Sequence, residues 1–299
     1  MCNENITTKI ITMLKINPIE YGNQKLAKLL LGSVAPRPIA FASTVDKEGN
    51  HNLAPFSFYN AFGVNPSTLI FSPSRRSRDN TTKHTFENLK EIPEVVINAV
   101  TYDMVYQMSL TSTEYEKGVN EFVKSGLTPV ESSMVTPLRV AESPIQFECK
   151  VRELIEISGN PGSGNLVICE IVCIHIDEKI LDINGTINPD ELDLVGRLGE
   201  DYYVRTSGSA KFRVPKPSSS HGIGVDALPE HIRLSRYLTG NELGKFGNLD
   251  KLPTEDEIEI FRKDSKIINL KDDAKKLHEY AQTLISLDKI KEALTVLMV

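Results

Sequence analysis

Between Ser72 and Thr85 the chain reads Ser-Pro-Ser-Arg-Arg-Ser-Arg-Asp-Asn-Thr-Thr-Lys-His-Thr. Arg75, Arg76, Arg78 and Lys83 stand there against a single acid, Asp79, and six hydroxyls, Ser72, Ser74, Ser77, Thr81, Thr82 and Thr85, are interleaved with them. Cations alone would suit any polyanion. Cations mixed with hydroxyls suit a compact phosphate monoester, whose three oxygens accept several hydrogen bonds at once. Phe86-Glu87-Asn88-Leu89 sets apolar residues three apart just afterwards, which predicts a helix from about Thr85, with Thr85 as its N-cap. The free N–H groups of its first turn would favour the same anion. A solvated basic turn is the competing reading of any short charge run, and no Gly-x-x-x-x-Gly-Lys is present to make this a P-loop.

Extended segments must hold such a loop. Pro38–Val45 is rich in strand formers, Asp46–Asn50 supplies a turn in which Gly49 can take positive φ, and Leu53–Phe62 is a second extended run, so the two make a β-hairpin. Ser67–Ser72 is a third run and leads into the loop. Within the second, Pro55-Phe56-Ser57-Phe58-Tyr59 alternates aromatics with a hydroxyl, which suits barrel core, a flat wall for a planar ring, or both. Glu94–Val100 reads as strand, and Tyr102–Leu110 and Val119–Ser125 as short helices. Ile145–Ile157 alternates as a strand, Asn160–Gly164 turns the chain, and Leu166–Ile176 is apolar on both faces, as a buried central strand would be. Tyr202–Thr206 and Lys211–Val214 are the last candidate strands. Six or seven strands with few long helices argue for a mainly β barrel or sandwich. From Pro215 the composition turns linker-like and then helical: Glu230–Leu238, a segment capped by Thr254 with Glu257 three on, Leu270–Leu287, and a stripe continuing from Ile290 to Leu297. The expected division is residues 1–214 as the β domain and 215–299 as a helical extension packing on the barrel or on a dimer mate.

The whole composition narrows the field. At 299 residues and 40% hydrophobic content the chain can bury a large core. With 34 Lys and Arg against 40 Asp and Glu it carries a net charge of −6, which disfavours a nucleic-acid partner and makes the basic loop a local exception. No apolar run is long enough for a signal peptide or a membrane span, so a cytoplasmic protein without a membrane partner is expected. Cys2, Cys149, Cys169 and Cys173 include no CxxC pair and read as reduced core residues. The histidines, His51, His84, His175, His221, His231 and His278, show no metal-ligand spacing, so no metal site is expected. His221-Gly222-Ile223-Gly224 follows a linker instead of a strand, and the glycine-rich Ser158–Gly164 lacks a basic residue, so neither reads as a nucleotide loop.

Three stretches then carry a resemblance: Arg37-Pro38-Ile39-Ala40-Phe41-Ala42-Ser43-Thr44, Asn52-Leu53-Ala54-Pro55-Phe56-Ser57-Phe58-Tyr59-Asn60, and Asp79 to Thr85. In this order they resemble the flavin reductase-like, flavoredoxin-type family of FMN-binding split barrels, over roughly the first two-thirds of the chain. The resemblance implies a six-stranded Greek-key split β-barrel with flanking helices, and a homodimer with FMN held noncovalently near its interface. It places Ser43 and Thr44 on the flavin, Ser57, Phe58 and Asn60 along the isoalloxazine ring, and Ser72, Arg78, Lys83 and Thr85 on the phosphate; Arg37, Pro38 and Thr82 complete the implied cofactor-binding set. Where the family often has a short Lys-Asp-Thr, this chain runs from Arg78 through Lys83 to Thr85, so Arg75, Arg76 and Arg78 all remain candidates for the phosphate. The implied activity is hydride transfer from NADH or NADPH to FMN N5 and electron delivery to an unspecified acceptor. The flavin would carry the chemistry, so no protein group is assigned as catalytic. A non-catalytic FMN-binding electron carrier is the alternative, and a phosphate-binding interaction module the third reading.

Overall fold

The computed structural model describes residues 13–215 and 222–299; Cys2, His221 and the linker from Lys216 to Ser220 lie outside them. The chain forms two compact units, Met1–Phe212 and Arg213–Val299.

The first unit is built on one antiparallel sheet of β1 (Ala40–Val45), β2 (His51–Phe56), β3 (Tyr59–Val64), β4 (Ser67–Phe71), β5 (Glu94–Asn98), β6 (Ile145–Glu156) and β7 (Asn165–Ile176), in the order β2-β1-β5-β6-β7-β4-β3. Seven strands replace the six implied, because Leu53–Phe62 is not one strand. Phe56 pairs with Ala40 of β1 and Tyr59 with Phe71 of β4, so the chain changes partner across Ser57 and Phe58. The strands joined at this corner are the two ends of the ladder order, and the sheet stays open between them. The hairpin turn between β1 and β2 forms as its composition predicts, with Gly49 at φ +86° and the Asp46 carboxylate accepting the Glu48 and Asn50 N–H groups.

Every residue of β1 is buried. Alternation sends Ala40 and Ala42 into one apolar cluster with Phe56, Phe71, Phe86, Cys149 and Cys169, and sends Phe41 into another with Leu53, Met104, Met108 and Phe122. Cys149 and Cys169 are therefore core residues as read, and burial pushes the Cys149 thiol up to about 12. Helix α1 spans Asn23–Ser33. Helix α2 (His84–Glu91) lays Phe86 and Leu89 on the first cluster. Its N-cap position is Lys83 and not Thr85: the Thr85 hydroxyl is buried and accepts a hydrogen bond from Asn52 Nδ2 at 2.9 Å, so it is unavailable to cap. Helices α3 (Val105–Leu110) and α4 (Glu121–Ser125) form where expected, and Asn120 caps the latter by accepting from Phe122 N–H.

Other expectations are refined. Tyr203–Arg205 pairs with Val195–Arg197 in a separate two-stranded sheet, and Lys211–Val214 forms no strand. Strand β7 is interior to the sheet, yet Ile174 and Ile176 at its end are exposed. In the second unit the helix beginning at Glu230 ends at Arg233, and the long helix is Ala274–Ser286. That unit has its own apolar core, with Ile232, Phe246, Ala281, Ala293 and Leu294 fully buried. Thr254 and Glu257 make the predicted capping box, and Thr239 with Glu242 makes a second.

Phe71 is fully buried and its ring centroid lies 5.5 Å from that of Phe56, next to the corner. Phe71→Ala is expected to destabilise the first unit by about 3–5 kcal/mol, read from urea denaturation; a loss below about 1 kcal/mol would show that the corner is not anchored through this ring.

Candidate functional site

A cleft of about 320 Å³ opens at the corner where the sheet fails to close. Four segments surround it: Ala54–Phe58 from the corner, Ser72–Arg76 from the basic loop, Lys83–Thr85 from the start of α2, and Thr111–Tyr115 after α3, with Asn52 and Glu121 completing the lining.

The basic loop is held in place by the turn between β6 and β7. Arg75 N–H donates to Ser163 O at 2.9 Å, Asn165 Nδ2 to Pro73 O at 3.1 Å, and Asn80 Nδ2 to Gly159 O at 2.9 Å. Gly162 sits at φ +79°, where a Cβ would come within 2.9 Å of Ser77 Oγ. The glycine-rich turn is thus the buttress of the loop, and glycine there permits both the backbone conformation and the close approach.

Geometry separates the arginines. Arg75 is committed to the loop itself, with Nε on Asn80 Oδ1 at 2.9 Å, Nη2 on Asn80 O at 2.7 Å and an ion pair to Glu156 at 3.6 Å. Arg76 lines the cleft and its Nε reaches Glu114 Oε1 at 3.0 Å. Arg78 has a side chain 75% exposed, lies outside the lining, and contacts Asp79 at 3.2 Å and Glu114 at 2.9 Å. Lys83 lines the cleft and approaches Glu114 Oε1 at 3.5 Å. Burial works against ionisation of Glu114, but the hydrogen bond from Arg76 and the charges of Lys83 and Arg78 outweigh it and hold the carboxyl below its ordinary value. His84, also on the wall, is held below its ordinary value by burial and then by Arg76, Lys117 and Lys83, so it is neutral at pH 7.

Of the residues implied by the resemblance, the fold brings Ser57, Phe58, Ser72, Lys83 and Thr85 to the cleft. Arg37, Pro38, Ser43, Thr44, Asn60, Arg78 and Thr82 are not part of its lining. Arg37 is buried and spends its guanidinium on Ser57 Oγ at 3.3 Å, Val34 O and Leu198 O at 2.8 Å, and Leu31 O; Pro38 beside it is exposed. Ser43 and Thr44 are fully buried in β1, where Thr44 Oγ1 accepts from Asn88 Nδ2 at 3.2 Å and Ser43 Oγ has no partner. Asn60 is exposed on β3 and accepts from Ala61 N–H, and Thr82 donates its hydroxyl to Glu87. Sequence reasoning missed Asn52, His84, Thr111–Tyr115 and Glu121. The one available signal was the polar run Thr-Ser-Thr-Glu directly after α3, and only the fold brings it opposite the basic loop.

Cross-strand pairing also assembles a cluster outside the cleft that no spacing announced. Glu148, Cys173 and His175 place their ligand-type atoms within 4.8 Å of one another. The Glu148 carboxylate is fully buried and already engaged, taking N–H groups from Ser133 at 2.8 Å and Met134 at 2.6 Å and lying 2.6 Å from His175 Nε2.

Comparison with known proteins matches the fold. The flavin reductase like domain family matches residues 31–188, just over half of the chain. A protein of Aquifex aeolicus is 38% identical over 195 residues, covering 65% of this chain and 97% of the relative. Nitrilotriacetate monooxygenase component B from Bacillus cereus superposes with a TM-score of 0.64 at 30% identity, covering 68% of this chain and all of that one. A Shewanella frigidimarina protein described as a flavin reductase with a split barrel domain gives a TM-score of 0.56 at 28% identity over 65% of this chain and 93% of its own. The chain belongs to the flavin reductase-like family. The family match ends at residue 188, so Arg213–Val299 lies beyond it. No helix among the described residues is long and apolar enough to cross a membrane.

Glu121 is buried and its Oε2 accepts Leu53 N–H at 3.0 Å; burial raises its carboxyl, opposed in part by that bond. With the folded pKa above the unfolded one, the folded state binds the extra proton, so stability is lost as pH rises from about 4.3 through the folded value. Glu121→Gln keeps an acceptor and removes the charge. Urea denaturation across this window should show the variant gaining on the wild type as pH rises; a pH-independent difference would mean Glu121 titrates normally.

Proposed function

We propose that this chain is an NAD(P)H:flavin oxidoreductase that binds FMN in the cleft. The observation that carries the reading is the composition of the cleft's lining: Arg76, Lys83, Ser72 and Ser74 stand in one cavity with the aromatic corner Pro55–Phe58. The donor set fits a phosphate monoester. Arg76 and Lys83 supply charge, the two serines supply hydroxyls, and the N-terminus of α2, which no side chain caps, supplies backbone N–H groups. The corner segment fits a planar ring. Phe58 is 48% exposed, an apolar face left open at the corner. Ser57 Oγ accepts from Arg37 Nε, which leaves its own proton free to donate to a ring oxygen or nitrogen. Arg37 would therefore act by positioning Ser57 and not by touching the cofactor.

FMN, when bound, supplies hydride acceptance from NADH or NADPH and onward electron transfer. The chain's own task is to orient the ring, anchor the phosphate and limit water. No protein acid or base is needed for a hydride step, in keeping with a wall whose histidine is neutral.

A homodimer is part of the reading. Strand β3 is a sheet edge whose Phe62 and Val64 are 64% and 91% exposed, and an unpaired apolar edge next to a ligand cleft suits a second copy of the chain. Sedimentation of the wild type should give a dimer, with Phe62→Asp shifting it toward monomer; a monomeric wild type would remove this element.

Anaerobic titration with NADH and NADPH should bleach the visible absorption of bound FMN in a saturable way. Bound FMN that neither nicotinamide reduces would identify an electron carrier instead. Arg76→Ala and Lys83→Ala should each weaken FMN binding by about 1.5–3 kcal/mol, measured by flavin fluorescence, with riboflavin binding unchanged. Unchanged FMN affinity in both variants would move the phosphate elsewhere.

A further inference from the structure

We infer that Glu114 is an internal competitor for the flavin phosphate, a carboxylate that pairs with the phosphate-binding cations and must leave them when FMN binds. The inference rests on the FMN reading above and concerns how that site exchanges its ligand.

Three cations converge on this one side chain: Arg76 Nε at 3.0 Å and Lys83 Nζ at 3.5 Å on Oε1, and Arg78 Nη2 at 2.9 Å on Oε2. The Arg76 and Lys83 side chains are only 14% and 34% exposed, so their attraction to a nearby anion is screened less than that of a surface pair. A carboxylate offers two anionic oxygens in the place where a phosphate monoester would offer three. Both cannot use the same donors, and leaving both anions in place would set like charges together within one cleft.

The loop that carries Glu114 suits a displaceable group. Its backbone is secured by its own helix end: Thr111 Oγ1 donates to Met108 O at 2.7 Å, Thr113 N–H to Leu110 O at 3.2 Å and Tyr115 N–H to Thr113 O at 2.9 Å. The reach across the cleft to the basic loop is made by the Glu114 side chain, so rotating that side chain away leaves the backbone bonds intact. Arg75 makes no contact with Glu114, being engaged by Asn80 and Glu156, and Arg76 would keep its place without Glu114, because its Nη1 donates to Thr81 Oγ1 at 3.0 Å and to Thr82 O. The expected winner is set by charge. A phosphate monoester at pH 7 carries about −1.5 to −2 and displaces a carboxylate of −1. The carboxylate still subtracts from the net affinity. Glu114 thus keeps FMN exchangeable, as a flavin that arrives and departs, instead of locked in the cleft.

Glu114→Gln keeps the shape and one acceptor but removes the charge. FMN should bind at least fivefold more tightly to E114Q than to the wild type and dissociate more slowly in stopped-flow dilution, while riboflavin, which has no phosphate, binds both within twofold. Glu114→Asp, with the charge kept but drawn back, should fall between. Thermal denaturation of both variants checks that the fold is retained. FMN binding that is unchanged or weaker in E114Q, or riboflavin affinity that rises in parallel, overturns the competitor role while leaving the FMN site standing. Failure of wild type and variant alike to bind FMN or riboflavin overturns the FMN reading and this inference with it.

Discussion

The constraint on which the first unit depends is the change of partner at Ser57 and Phe58. Strand β2 is bound to β1 and strand β3 to β4, and the two residues between them must span from one end of the ladder to the other. A sheet opened this way exposes backbone groups and aromatic faces that a closed barrel would hide. Two contacts secure the opening: Arg37 Nε donates to Ser57 Oγ, and Ser72 N–H donates to Phe58 O at 2.9 Å. The second joins the corner to the first residue of the basic loop, so the aromatic corner and the start of that loop are tied by one backbone bond.

Electrostatic balance follows from that placement. The basic loop lies against a turn and a helix start, and each cation that faces inward has an assigned anion. Glu156 serves Arg75, and Glu114 serves Arg76 and Lys83. Arg78, the member of the trio matched by the resemblance, is turned to solvent and lies outside the cleft's lining. Two buried pairs, Asn52 with Thr85 and Asn88 with Thr44, tie α2 to the hairpin of β1 and β2.

Much of this was legible in the chain. Residue type and period located the strands, the Gly49 turn and the Thr254 capping box, because each depends on neighbours within a few positions. The basic loop was legible for the same reason, as a local mixture of cations and hydroxyls. What was not legible has a different origin. Thr85 has every property of an N-cap, and it was a partner 33 residues away, Asn52, that claimed its hydroxyl. Ser43 and Thr44 are polar and lie in a family motif, yet β1 is covered on both faces and buries them. Leu53–Phe62 reads as one strand because its composition is uniform, and only the competition between two pairing partners divides it.

By itself the sequence determined the elements and the chemistry available: a mainly β chain of the flavin reductase-like family with a phosphate-suited loop beside an aromatic run. These are properties of short segments, governed by propensity and local hydrogen bonding. Tertiary structure alone decided which cations face inward, that Arg37 supports Ser57, and that Glu114 stands among the cations. The physical reason is distance in the chain. Glu114 lies 38 residues beyond Arg76, and the ion pair between them exists only because the sheet and α3 bring the two loops to opposite sides of one cleft.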